Sequence, residues 1–279
     1  MHIEGEEFCM LAKKADRVAY KQWNEKWGAP YGFSVERPLM LAHRFTEDED
    51  PARYGPFGFQ PTSHTREVEY PWAHSVAELR PGLRVMDVGG WLSGFQVVLA
   101  KEGCEVVNVD PSSPTDQRWT IRGQAGEGSH TAIHRWFTSL FDVDVTLVTE
   151  RLQDTQFAPA SFDRVFAISV LEHVDQAEAQ EVVKTMEQLL VPGGLAVLSI
   201  DLFLDLEPFG AFTQNVYGRN LDVCALVGST GMTMVHGDPA ELHGFPEFDA
   251  KSIVARAEEF NLGWSYPVVS QLVVLRKPV

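Results

Sequence analysis

Leu83-Arg84-Val85-Met86-Asp87-Val88-Gly89-Gly90-Trp91-Leu92-Ser93-Gly94 is the stretch on which the fold of this chain turns. Its segment RVMDVGG (84–90) carries the short apolar run of a strand buried on both faces. The glycines behind it let the backbone turn tightly while a ligand lies against the strand end. A helix is expected from about Phe95 to Glu102, then a strand EVVNVD (105–110) ending in Asp110, 21 residues after Gly89. That interval places a carboxylate where it can accept the two hydroxyl hydrogens of an adenosine ribose.

Downstream the alternation continues. VDVTLVTE (143–150), FDRVFAIS (162–169) and GLAVLSID (194–201) are the third to fifth strands, with a helix from Asp175 to Leu190 that stops at VPGG. TMVHG (233–237) weakly marks a sixth strand, a helix is expected over 249–260, and SQLVVLRK (270–277) is the last strand. Apolar strands separated by helices predict an α/β fold: a Rossmann-like, doubly wound, seven-stranded and mostly parallel sheet. Residues 113–138 interrupt the pattern as an insertion.

Upstream, residues 1–80 have a different texture, aromatic, charged and punctuated by Pro and Gly. Met10 to Trp27 is expected as a helix with Leu11, Ala15, Val18, Ala19, Gln22 and Trp23 near one face. PWAHSVAEL is expected as a short helix with Pro71 in its first turn. The division expected is an N-terminal helical and irregular lid (1–80) capping a cofactor-binding domain (81–279).

The 279 residues carry a net charge of −16 and no run of Lys and Arg, which argues against a nucleic-acid partner. Cys9, Cys104 and Cys224 are scattered, so neither a disulfide framework nor a metal cluster is expected. The first residues lack an apolar signal core, and no apolar run approaches the length of a bilayer span. A cytoplasmic, non-membrane protein is the expectation. Oligomeric state is not written in the sequence.

A nicotinamide fingerprint would place glycines at 89, 91 and 94, but position 91 is Trp. Its indole would stand where a pyrophosphate must approach the backbone. A ligand with adenosine and no pyrophosphate fits better. Two further stretches bear on this. Ser161-Phe162-Asp163-Arg164-Val165-Phe166-Ala167-Ile168-Ser169-Val170-Leu171-Glu172-His173-Val174 and Leu189-Leu190-Val191-Pro192-Gly193-Gly194-Leu195 stand in order behind Asp87, Gly89 and Asp110.

These segments resemble the fourth-strand motif SFDxVxxxxVLEHV and the LLxPGG turn of class I S-adenosylmethionine-dependent methyltransferases of the small-molecule type. The resemblance covers about 80–200 well, 200–279 loosely and 1–80 not at all. It implies S-adenosyl-L-methionine as cofactor. Asp87 would orient toward the methionine ammonium, Gly89 and Gly90 would pack on the cofactor, and Asp110 would hold its ribose. Ile168 and Ser169 would lie near the methionine part and the sulfonium. The adenine pocket would follow strand three, around Glu150, Arg151 and Leu152.

Two departures stand out. The usual first motif is DxGxGxG, and here Trp91 and Ser93 replace its later glycines. Arg151 occupies a position where an Asp often meets the adenine amino group, with Glu150 or Asp154 as substitutes.

For the acceptor side, His173 is a candidate general base, since imidazole titrates near neutrality; the alternative is that Glu172-His173 caps the strand and anchors the next helix. Asp201, with Asp205 and Glu207 beyond it, could bind an amine, accept a proton or hold a magnesium ion, and no metal is expected. His64 and His74 are outside candidates for the base, while His43, His130, His134, His236 and His243 have no distinguishing context. The aromatics Trp23, Trp27, Tyr31, Phe33, Tyr54, Phe57, Phe59, Tyr70 and Trp72 either pack 1–80 onto the sheet or line a lid over the acceptor. The expected function is O- or N-methylation of a small molecule, a sugar or secondary metabolite. The alternatives are a protein methyltransferase, or the same fold using the cofactor for other chemistry such as cyclisation. RNA methylation is disfavoured by charge and because SVLEHV stands where an NPPY-like motif would.

Overall fold

The computed structural model describes residues 10–33, 46–60, 62–111, 130–235, 238–264 and 266–279. Cys9, His43, His236 and the insertion up to residue 129 lie outside them.

The described residues form one seven-stranded sheet. Its strands are β1 (Arg84–Val88), β2 (Glu105–Val109), β3 (Val145–Val148), β4 (Phe162–Ile168), β5 (Leu190–Phe203), β6 (Thr233–Met234) and β7 (Val268–Arg276). The order is β3-β2-β1-β4-β5-β7-β6, with β7 antiparallel to both of its neighbours and the other pairings parallel. The order reverses between β1 and β4, so the crevice outside their carboxyl ends is where such a sheet binds ligands.

Alternate residues along each strand feed two cores. Val85, Val106, Phe166 and Val197 pack with α3 (Arg66–Val76) and α4 (Gly94–Lys101). Met86, Val107, Val165 and Leu198 pack with α6 (Gln176–Leu189) and α7 (Val223–Gly228) on the other face. Burial on both faces explains the continuous apolar runs. Side chains cap the helices facing the ligand edge: Ser93 Oγ accepts the Phe95 N–H at 3.1 Å, and Asp175 Oδ1 accepts the Glu178 N–H at 2.9 Å. Of the insertion, His130–Leu140 is the helix α5. The helix expected over 249–260 is shorter, α8 (Ala250–Ala255) followed by a 3-10 turn, Ala257–Glu259. No helix among the described residues is long and apolar enough to cross a membrane.

Three N-terminal expectations need correcting. Met10 to Trp27 is not one helix. Residues 10–12 run extended beside β7, with the Ala12 N–H on Ser270 O at 3.0 Å and the Leu272 N–H on Met10 O at 2.7 Å. The helix α1 (Lys14–Ala19) starts behind them because Asp16 accepts the Lys13 N–H at 2.7 Å, and Tyr20 breaks it from α2 (Lys21–Trp27). Val18 is 78% exposed, so the buried face is not the one periodicity suggested. Finally, α3 begins five residues before Pro71, which therefore lies inside it. An interior proline is tolerated because the carbonyl it leaves without a helical partner, that of Glu67, is taken up by the side chain of Asn24.

Candidate active site

The turn after β1 is built on main-chain geometry that glycine permits. Gly89 has φ +69°, and a side chain there would meet Val170 at 2.7 Å. A Cβ on Gly90 would stand 2.4 Å from Asp87 Oδ2 and 2.9 Å from Asn108 Oδ1. Trp91 follows at φ +36°, and its N–H donates to Asp110 Oδ2. Its carbonyl accepts from Asn108 Nδ2 at 2.9 Å and Gln96 Nε2 at 3.0 Å, and Gln96 Oε1 lies 2.6 Å from His134 Nε2. Burial and the neighbouring His130 push the His134 pKa down to about 4, so a neutral ring is held in this network. The partly buried Trp91 packs against an apolar cluster that holds Leu92, Val97 and Phe137. Ser93, besides capping α4, meets the Tyr70 hydroxyl.

Asp87, at the end of β1, is buried with Oδ2 lacking a protein partner. Burial, and then the charge of Asp110, push its pKa up to about 8. Asp110, at the end of β2, is also buried. Two buried carboxyl groups thus stand side by side at the ends of β1 and β2. A pair of carboxylate acceptors suits the ammonium and the ribose hydroxyls of S-adenosylmethionine. Leu152 is buried after β3, whereas the Arg151 guanidinium is largely exposed and pairs with Glu178 at 3.1 Å.

The second half of the edge is more heavily charged. Ile168 and Ser169 end β4; Ser169 has φ +53°, and its hydroxyl donates to Glu172 Oε1. Glu172 is fully buried, Oε2 has no partner, and burial raises its pKa to about 7. Asp201, on β5, is 3% exposed with Oδ1 unpartnered; burial, and the charges of Glu172 and Glu69, raise its pKa well above the carboxylate range. Asp205 and Glu207 point to the surface instead, so the three acids do not converge. Among the described residues no group of three or more His, Cys, Asp or Glu is arranged to hold a metal.

His173 lies beside Glu172, its Nε2 4.0 Å from Oε1, and is more than half exposed; desolvation lowers its pKa. His64 is buried, stacked on Trp264 with ring centres 4.2 Å apart. His74 packs against Trp23 on the far side of α3, and His243 Nδ1 lies 2.8 Å from Leu221 O.

Four residues of this edge escaped sequence reasoning. Arg66 and Glu69, on the first turn of α3, form a buried ion pair, and Glu69 Oε1 accepts from Ser199 Oγ at 2.7 Å. Tyr217 and Tyr266 stack at 3.9 Å, and Tyr266 feels the charges of Asp201, Arg66 and Glu172. Arg66 and Glu69 stand three apart on α3, but no spacing in the sequence links them to Tyr217 or Tyr266.

A family model described as a methyltransferase domain matches residues 86–198. No curated protein matches the chain. Among solved structures, the [4+2]-cyclase SpnF is 14% identical, covers 98% of this chain and 100% of its own, and has a TM-score of 0.52, a likeness of fold. An S-adenosylmethionine-dependent methyltransferase from Mesorhizobium loti is 19% identical over 75% of this chain and 97% of its own, with a TM-score of 0.49. The 1,6-didemethyltoxoflavin-N1-methyltransferase of Burkholderia thailandensis is 17% identical over 77% and 80%, at 0.46. Residues 86–198 thus match a methyltransferase domain, and the chain as a whole shares its fold with the cyclase SpnF.

Proposed function

We propose that this chain is a class I S-adenosylmethionine-dependent methyltransferase that acts on a small molecule, received between the carboxyl ends of β4 and β5 and a cap contributed by residues 1–80. When bound, the cofactor supplies an electrophilic methyl group on a sulfonium. In this reading Asp87 meets the methionine ammonium, Asp110 the ribose hydroxyls, and Gly89 and Gly90 keep the turn free of side chains. Leu152 lines the adenine side. Arg151, paired outward with Glu178, contributes its backbone there. Ser169, Glu172 and Asp201 face the acceptor, with His173 at the rim.

The observation that carries the small-molecule reading is burial. Glu69, Glu172 and Asp201 are 0%, 0% and 3% exposed. A protein side chain needs an open face. A set of polar groups shut in under α3 and an aromatic rim suits a compact acceptor whose alignment does the work, since displacement at a reactive methyl gains most from positioning.

The test is to incubate the protein with methyl-labelled S-adenosylmethionine and a size-fractionated cell extract. Label in the small-molecule fraction, with release of S-adenosylhomocysteine, is expected. Label confined to protein bands would overturn the reading, and cofactor binding without S-adenosylhomocysteine would point to other chemistry on the same fold.

A further inference from the structure

Three carboxyl groups meet at the β4–β5 edge. Among the described residues a single guanidinium, that of Arg66, acts on them. Glu69 is fully engaged, by Arg66 and by the Ser199 hydroxyl. Glu172 and Asp201 are not: Glu172 Oε2 and Asp201 Oδ1 are buried and have no partner. The Ser169 hydroxyl reaches both side chains but has one hydrogen to give. The stacked Tyr217 and Tyr266 stand beside them, and Tyr217 is 42% exposed at the rim.

We propose that the acceptor is an amine, its protonated nitrogen seated on Glu172 and Asp201 beside the Tyr217–Tyr266 pair. The proposal rests on the methyltransferase reading above and names the substrate class of that site. An ammonium carries several N–H donors, enough for both orphaned oxygens, and its charge offsets the surplus of carboxylates. Aromatic faces at the entrance attract the same charge. A hydroxyl acceptor has one hydrogen and no charge, so it would leave the surplus standing. A divalent ion lacks a third protein ligand among the described residues.

In the free protein, protons fill the seat. Burial lifts Glu172 to about 7, and Asp201 is raised by burial and by Glu172 and Glu69. Arg66 and Glu69 from α3, Ser169 and His173 from the end of β4, and Tyr266 face the same groups; His173 is held below its ordinary value and adds no cation at neutral pH. Amine binding therefore expels a proton. Before transfer the ammonium gives one proton to a carboxylate. Its lone pair then forms the N–C bond as the S–C pair returns to sulfur.

The probes are S-adenosylhomocysteine and sinefungin, the analogue that carries an amine on a carbon in place of the methylated sulfur. Both are titrated calorimetrically into the full chain near pH 7, in buffers of different ionisation enthalpy. Sinefungin is expected to bind about 10-fold tighter or better and to release a proton that S-adenosylhomocysteine does not. In Glu172→Gln and Asp201→Asn that advantage should fall below about 3-fold, while Asp205→Asn, at the surface, keeps it. Equal wild-type affinities, no proton release, or an advantage kept in both variants would overturn the amine seat and leave the cofactor site standing. The wild-type arms decide alone if the variants do not fold. Failure of S-adenosylhomocysteine to bind at all would instead overturn the underlying methyltransferase reading.

Discussion

The backbone N–H of Trp91 donates to Asp110 Oδ2 at 2.7 Å, so the residue at a usual glycine position reaches the strand-two carboxylate through its main chain. The side chain serves a different purpose, packing against the apolar cluster of Leu92, Val97 and Phe137.

The two roles separate by mutation. Asp110→Asn keeps an acceptor for Trp91 but loses the charge that two ribose hydroxyls would share. Cofactor affinity should fall about 10- to 100-fold by calorimetry, with little change in Tm. Trp91→Gly should do the reverse. It gives up indole packing, partly offset by relief of the positive φ, for a net loss of about 1–3 kcal/mol in urea unfolding. Cofactor affinity should stay within about 3-fold, since the contact is with the backbone.

Asn24 and Pro71 form a matched pair. Asn24 Nδ2 donates to Glu67 O at 2.8 Å, the carbonyl that Pro71 leaves open. Asn24→Ala should cost about 1–3 kcal/mol, the penalty of an orphaned polar group. In a Pro71→Ala background residue 71 regains an N–H for that carbonyl, so the same Asn24→Ala step should cost clearly less. Equal costs in the two backgrounds would show that the carbonyl is not what Asn24 serves.

Two glycines predict opposite outcomes. Gly90→Ala drives a methyl into Asp87 and Asn108 and should destabilise by about 1–3 kcal/mol while abolishing cofactor binding. Gly228, at the end of α7, has nothing within 4 Å of a built Cβ. Gly228→Ala should be neutral or stabilising by up to about 1 kcal/mol. Thermal denaturation of both reads the contrast.

Asp87 makes stability depend on pH. Its folded pKa, about 8, lies above the unfolded value, so the folded state binds more protons between about 4 and about 8. Its contribution is fully present below the unfolded pKa and is lost as pH rises through the folded one. Asp87→Asn removes that dependence. Unfolding free energies at pH 5, 7 and 9 should show the variant gaining on wild type as pH increases, and cofactor binding should weaken at every pH.

Most of the sheet was legible because its strands are buried on both faces, which leaves uninterrupted apolar runs such as Arg84–Val88 and Phe162–Ile168. Gly89 and Gly90 marked where β1 ends, whereas VPGG, expected as the turn before a strand at 194–201, lies inside β5, which starts at Leu190. Two things were not legible. One was local: Pro71 suggested a helix start, and only the position of Asn24, 47 residues upstream, makes an interior proline acceptable. The other was convergence. Arg66, Glu69, Glu172, Asp201, Tyr217 and Tyr266 meet because three strands and α3 end at one place, and no periodicity encodes that. The sequence motif drew attention to His173, yet the more deeply buried group of that pair is Glu172.

Residues 10–12 pair with residues 270–272 of β7. That contact spans nearly the whole chain, and closing so long a loop is slow and late. On the ribosome, the strands from β1 to β5 can assemble while the N-terminal residues still wait for a partner that has not been synthesised. The protein therefore passes through a stage in which its cofactor edge exists and its N-terminal strap is undocked. Chaperones and proteases would meet it in that half-finished form.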